Sequence, residues 1–201
     1  MKRRIAVILM ILVCFVFDVA PAYAITLNCW YSDKDNGCFF PNSMTAYVSH
    51  VESGCVPAET LATYVNYAVT QWSNAGRSIS RVTSGGTTPV NHGTVSYLHN
   101  LYDMFESSYA GLTKLGGVAW STVTYNGTNH IIYKVTISDT FIKYSSSYTA
   151  NAYKSTITHE FGHSFGWWDG HSKLSTDCMY PTGIVTTLSA NDTAQVNQMY
   201  T

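Results

Sequence analysis

Charged side chains are scarce in this sequence, 11% of 201 residues, and beyond the first four residues no basic cluster occurs. That excludes the electrostatic footprint by which proteins hold nucleic acid, and a polybasic stripe aimed at lipid. Long apolar runs are missing too. The longest covers residues 5–17, and its 13 residues fall short of a membrane span. No later stretch approaches that length. There is no internal repeat and no low-complexity linker, which argues against solenoids and arrays. No lysine follows the Gly-rich loop at residues 84–89, so it is not a phosphate loop. Glutamate is absent after Glu160, an absence that matters below.

What is present begins with an export pattern. Lys2, Arg3 and Arg4 precede the apolar run, Asp18 ends it, and Ala22-Tyr23-Ala24 follows as a small-x-small site. Residues 1–24 are expected to be a secretory signal peptide cut after Ala24. Cys14 would leave with it, because Leu12-Val13 lacks the small residue that a lipid-attachment box needs. The expected product is one secreted domain, residues 25–201, with no stable membrane insertion. Losing residues 1–24 leaves 8 basic and 11 acidic side chains, a net charge of about −3. Four cysteines remain, Cys29, Cys38, Cys55 and Cys178. In an exported protein an even count implies disulfides, and four cysteines allow three pairings. The expected one is Cys29–Cys38, across the turn-rich Asp33-Lys34-Asp35-Asn36-Gly37, with Cys55–Cys178. That turn lacks the fifth-position ligand of a calcium loop.

Residues 45–51 read as a strand from their β-branched and aromatic content. Residues 57–75 read as a helix. Leu61, Tyr64, Val65, Ala68, Val69 and Trp72 make one apolar stripe, Pro57 and Glu59 suit the first turn, and Gly76 stops it. A short strand is expected at 78–82. Residues 90–115 are ambiguous, with a strand near 94–98 and a helix or loop at 102–109. His92 and His99 have no partner at ligand spacing and read as surface histidines. Residues 118–125 and 131–137, around Asn126-Gly127, give a hairpin, with His130 opening its second strand. The sequons at Asn126 and Asn191 have meaning only in a eukaryotic secretory route. Residues 149–166 read as a second long helix, with Tyr153, Ile157, Phe161 and Phe165 as its buried stripe. Ser189 and Asp192 resemble a capping box for a last helix anchored by Val196 and Met199.

On the second long helix stands His159-Glu160-Phe161-Gly162-His163. Residues i and i+4 share a helix face, so His159 and His163 can reach one metal ion. Glu160 lies about 100° round the helix, beside the metal, where it can take a proton from water. Gly166 can adopt the left-handed conformation that lets the chain leave the helix sharply and return a third ligand. Zinc enzymes of the thermolysin type use a downstream Glu for that ligand, and the absence of Glu after Glu160 excludes them. An aspzincin-like reading would need Asp177 or Asp192, of which the first crowds the turn at Met179 and the second starts a helix.

These residues, with Cys178-Met179-Tyr180-Pro181, Gln71-Trp72-Ser73-Asn74 and the segment from Leu188-Ser189 to Met199-Tyr200, resemble the metzincin clan of zinc endopeptidases, and within it the matrixin-like catalytic domains. The resemblance implies an α+β fold: a twisted, mixed sheet on two long helices, then a small C-terminal subdomain with a Met-turn and a final helix. It implies one catalytic zinc held by His159, His163 and a third ligand. Glu160 would be the catalytic base and Met179 the hydrophobic floor beneath the metal. Tyr180 would be structural. Residues 118–124 would be the edge strand that pairs with an extended peptide or protein substrate, and residues after Met179 would line the pocket for the residue following the cut. Two departures stand out. The clan's third His position holds Asp169, as in the snapalysin group, while His171 keeps the matrixin spacing to Met179. His171 is favoured narrowly, with Asp169 as competing ligand or as its partner. The span before the first helix is also too short for a cysteine-switch propeptide.

The implied function is a secreted, monomeric zinc metalloendopeptidase that cleaves peptide bonds by Glu-assisted attack of zinc-bound water. The alternatives are an inactive secreted zinc-binding protein of the same fold, or a cell-wall peptide hydrolase.

Overall fold

The computed structural model describes residues 37–39, 43–117, 119–125, 128–167, 172 and 174–198. The signal-peptide reading, Cys29, Asp169, His171 and Met199 lie outside these residues.

The organising layer is a five-stranded sheet of β2 (Met44–Val51), β3 (Ile79–Arg81), β4 (Thr88–Gly93), β5 (Gly111–Gly116) and β8 (Ile137–Lys143), in the order β3-β2-β4-β8-β5. The first four strands run parallel, and β5 pairs antiparallel with β8 from Gly111↔Ile142 to Gly116↔Ile137. Parallel neighbours need crossovers. Between β2 and β3 the chain crosses through α1 (Ala58–Asn74), and after β8 it enters α3 (Ala150–Ser164). Leu61, Val65, Ala68, Val69 and Trp72 of α1 are buried, as their spacing predicts, and Gly76 ends the segment at φ +84°. Tyr153, Ile157 and Phe161 of α3 join them in one core with Met44, Ala46, Val90 and Ile142 of the sheet. Each large aliphatic or Phe side chain among them contributes about 1.5–3 kcal/mol on burial. Trp72 also donates its indole N–H to the Thr158 carbonyl at 2.8 Å, tying the two helices together.

Along β8, side chains alternate between faces. Ile142 belongs to the core under the helices, and Phe141 belongs to a second cluster with Leu98 and Phe105. Leu98 comes from α2 (Val95–Leu101), a helix where the sequence predicts a strand. The strand lies earlier, at β4. Thr94 caps α2, its hydroxyl accepting from Tyr97 N at 3.4 Å. A local cap overrides the β-branched and aromatic content of 94–98.

β6 (Ala119–Tyr125) and β7 (Thr128–Lys134) form the expected hairpin, with Tyr125 opposite Thr128. The second strand begins three residues before the predicted start, and Ile137 opens β8 instead of closing it. The hairpin is not part of the main sheet. It pairs with β1 (Gly37–Phe39) in a three-stranded sheet of order β1-β7-β6. The outer strand next to β8 is therefore β5, and residues 119–124 of the expected edge strand lie in the other sheet. α4 (Ala190–Gln198) closes the described chain with Val196 buried. Among the described residues no helix is long and apolar enough to cross a membrane.

Candidate metal centre

α3 starts on Thr149, whose hydroxyl accepts from Ala152 N at 3.3 Å. It ends before Gly166, which has the left-handed φ of +93° expected from the sequence. Its buried stripe turns the histidines of the motif toward one another. His159 and His163 bring their Nε2 atoms to 3.0 Å. Their Nδ1 atoms face backbone carbonyls: that of His159 meets Cys178 O at 2.7 Å, and that of His163 meets Trp167 O at 2.5 Å. A carbonyl can only accept, so each Nδ1 carries a proton and Nε2 is the atom each ring turns toward the other. Two imidazole nitrogens at that separation either share a proton or share a cation. Nδ1–H bound to a carbonyl with Nε2 turned inward is the arrangement that orients histidine toward a metal. The potential ligand atoms of His159, Glu160 and His163 lie within 4.8 Å of one another, and this donor set fits zinc.

Glu160 is 5% exposed, so a carboxylate there needs partners. One is Thr113 on β5. Its hydroxyl lies 2.7 Å from Glu160 Oε2 and 2.9 Å from Glu160 O, and donates to one of them at a time. Gly111, on the same strand, leaves room for the acid: a Cβ there would stand 2.6 Å from Oε1. Ser164 donates back to Glu160 O at 3.3 Å and pairs with Ser138 of β8 at 2.7 Å. Sequence reasoning missed Thr113, because it lies in the stretch left ambiguous and strand pairing alone brings it to Glu160.

Met179 is fully buried beneath α3. A Cβ on Gly162 would fall on its thioether and 3.0 Å from Trp72 Cζ2, so Gly162 is where the Met-turn packs against the helix. The turn is held from behind. Asp192 accepts from Cys178 N at 2.8 Å and Met179 N at 3.2 Å. It also makes the reciprocal cap with Ser189: its carboxylate accepts from Ser189 N, and its own N–H donates to Ser189 Oγ, both at 2.9 Å. Burial raises the Asp192 pKa, while these backbone N–H bonds pull it down. Asp177 accepts from Ser172 Oγ and, at 2.6 Å, from Asn191 Nδ2. Both aspartates are thus committed to backbone and side-chain donors. Ser155 accepts from Val185 N at 3.0 Å, fastening the segment after the Met-turn to α3.

A cleft of about 180 Å³ runs between these parts, lined among others by Tyr109, Gly111, Thr156, His159, Glu160 and Tyr180. It joins the start of β5 to the histidines and the Met-turn.

Several expectations are corrected. Cys55 and Cys178 are not paired; both are free thiols, Cys178 buried with its pKa pushed well up by desolvation. Cys55 lies beside Glu52, 3.8 Å from its carboxylate, and Cys178 lines the cleft with His159 and Glu160, so the two belong to different neighbourhoods. His92 is not at the surface. It is fully buried, with Nδ1 2.9 Å from Ile142 O. His99 is exposed, as expected, and bonds Phe105 O at 3.2 Å. The third-ligand candidates, Asp169 and His171, lie outside the described residues.

No protein-family model matches the chain, and no curated protein does. Among solved structures, it is similar to one titled "Structure of Myroilysin", at 13% identity and a TM-score of 0.43, over 80% of this chain and 81% of that one.

Proposed function

We propose that the chain is a secreted, zinc-dependent endopeptidase of the metzincin kind, with residues 25–201 as its catalytic domain. The observation that carries this reading is the convergence of the two Nε2 atoms to 3.0 Å, with both Nδ1 atoms tied to carbonyls and a buried carboxylate alongside. In this reading His159 and His163 hold the ion and His171 completes the set, with Asp169 as the alternative. Zinc bound there supplies Lewis acidity, polarising the scissile carbonyl and acidifying water.

The chain's own residues do the rest. Glu160 takes the proton of the attacking water and passes it to the leaving amine. Thr113 fixes one carboxylate oxygen, so the other is aimed into the cleft. Met179 and Gly162 set the height of the helix above the turn. β5, the outer strand beside the cleft, is the surface along which an extended peptide adds as a further strand. Backbone pairing of that kind reads main chain, and the residues after Met179 would select the side chain following the cut.

Glu160→Gln should keep one bound zinc and lose casein cleavage by at least the ~10²–10⁴-fold that general acid–base catalysis supplies. Chelator-sensitive cleavage persisting in that variant would sink the mechanism. A parent protein that binds zinc and cleaves neither casein nor gelatin would instead support the inactive binding protein. His171→Ala and Asp169→Ala separate the third-ligand candidates: the true ligand is the one whose loss abolishes stoichiometric zinc.

A further inference from the structure

We propose that Asp192 is a positioning residue for His159, acting through the single peptide group between Cys178 and Met179. The inference rests on the metal-site reading above and concerns what holds the site in register.

The two faces of that peptide group are both engaged. Its N–H, on Met179, donates to Asp192 Oδ1 at 3.2 Å. Its C=O, on Cys178, accepts from His159 Nδ1 at 2.7 Å. Asp192 Oδ2 takes the next N–H back, that of Cys178, at 2.8 Å. The carboxylate thus grips the turn by two consecutive amides, and the carbonyl between them points at the histidine. Asp192 is itself fixed, being fully buried, capped reciprocally by Ser189 and carried on a helix whose Val196 is in the core.

Two physical consequences follow. An anion bound to the N–H side of a peptide polarises it and makes its carbonyl a stronger acceptor, since hydrogen bonds in series strengthen one another in a low-dielectric interior. A stronger acceptor at Nδ1 holds His159 in the Nδ1–H tautomer, with Nε2 facing the site. The geometric effect points the same way. Without the two-amide grip the Cys178 carbonyl is free to rotate, and with it the ring it orients. His163 is oriented by a different carbonyl, Trp167 O at the helix end.

Asp192→Asn is the informative variant, because it is isosteric and removes the charge. On the full chain, zinc affinity should fall about 10–100-fold, the usual loss when an outer partner of a metal-bound histidine is changed. The cobalt(II) derivative should show an altered visible spectrum. Nitrogen-15 spectra of the metal-free protein should show His159 losing its preference for the Nδ1–H tautomer, a readout independent of metal and of activity. Val196→Ala, which weakens the packing of the same helix without touching the carboxylate, should lose stability and keep zinc affinity within about threefold. The proposal is overturned if Asp192→Asn binds zinc within threefold of the parent, or if Val196→Ala weakens zinc as much for an equal loss of stability. Should Asp192→Asn fail to fold, Asp192→Glu decides. It retains the charge and shifts the carboxylate, so zinc affinity and the His159 Nδ1–H preference kept or lost together support the proposal, and zinc affinity lost with the tautomer preference unchanged overturns it. A parent chain that binds no zinc or cobalt ion overturns the metal-site reading itself, an outcome distinct from a parent that binds and an Asp192 variant that binds equally well.

Discussion

Gly162 shows how little room the site allows at the level of single residues. An alanine there would gain about 1 kcal/mol of helix propensity. Its Cβ, however, would fall on the buried Met179 thioether and crowd Trp72. Overpacking a filled core costs about 1–3 kcal/mol, so the steric effect wins. Gly162→Ala should lower the urea midpoint of unfolding at unchanged m-value. A variant as stable as the parent would show that the Met-turn is loosely packed. Thr113 offers the converse test. Thr113→Val keeps shape and removes the hydroxyl that meets the Glu160 carboxylate. A hydrogen bond to a charged group is worth about 1.5–3 kcal/mol, and tenfold in rate is about 1.4 kcal/mol. The turnover number should therefore drop roughly tenfold or more, with KM little changed. A change confined to KM would place Thr113 in substrate binding instead.

Between elements, side-chain bonds join what the backbone ladders do not. Ser138 and Ser164 link β8 to α3, and Trp72 links α1 to α3 across 86 positions of sequence. Trp72→Phe should cost about 1 kcal/mol for the lost hydrogen bond, with a further loss for the indole volume. The effect should appear as a cooperative shift of the whole transition, because both helices share one core. A separate early transition for α1 would contradict that coupling. Element boundaries were legible where a local signal existed: Pro57 and Gly76 bracket α1, Thr149 and Gly166 bracket α3, and Ser189 with Asp192 starts α4. They were misread at 94–98, where the same residues suit a strand and the Thr94 cap decides for a helix.

At the scale of the molecule, His92 makes stability depend on pH. Its ring is buried against Tyr144 and Tyr153, with Nε2 lacking a hydrogen-bond partner. Desolvation lowers its pKa below 6.5, although the Ile142 carbonyl and Glu52 oppose the shift. The folded state then binds this proton less tightly than the unfolded chain. The stability contributed by neutral His92 is complete above the unfolded value of 6.5 and is lost as pH falls from there toward the folded value. In chelator, which removes the effect of metal release, the parent's urea midpoint should fall as the pH is lowered through about 6.5, and His92→Phe should flatten that slope. An equal slope in both would assign the acid sensitivity elsewhere. Zinc bound to the folded state alone should stabilise it by about 2.7 kcal/mol at one hundred times Kd, seen as a concentration-dependent rise in melting temperature.

The sequence by itself determined what depends on neighbours along the chain. The i and i+4 histidines share a helix face, Gly166 takes the left-handed turn after them, the apolar stripes of α1 and α3 go inward, and Ser189 with Asp192 caps a helix. Each follows from helix geometry or local hydrogen bonding. The tertiary structure alone decided what depends on pairing at a distance. A hairpin signal states that β6 meets β7 but not which sheet receives them, so the edge beside the cleft passed to β5. Spacing does not say which cysteines approach, and Cys55 and Cys178 stand apart. Burial of His92 arises from β4 lying inside the sheet. Thr113 against Glu160, and Asp192 against the turn that orients His159, exist only once strands and helices far apart in sequence are packed, because a hydrogen bond is set by position in space.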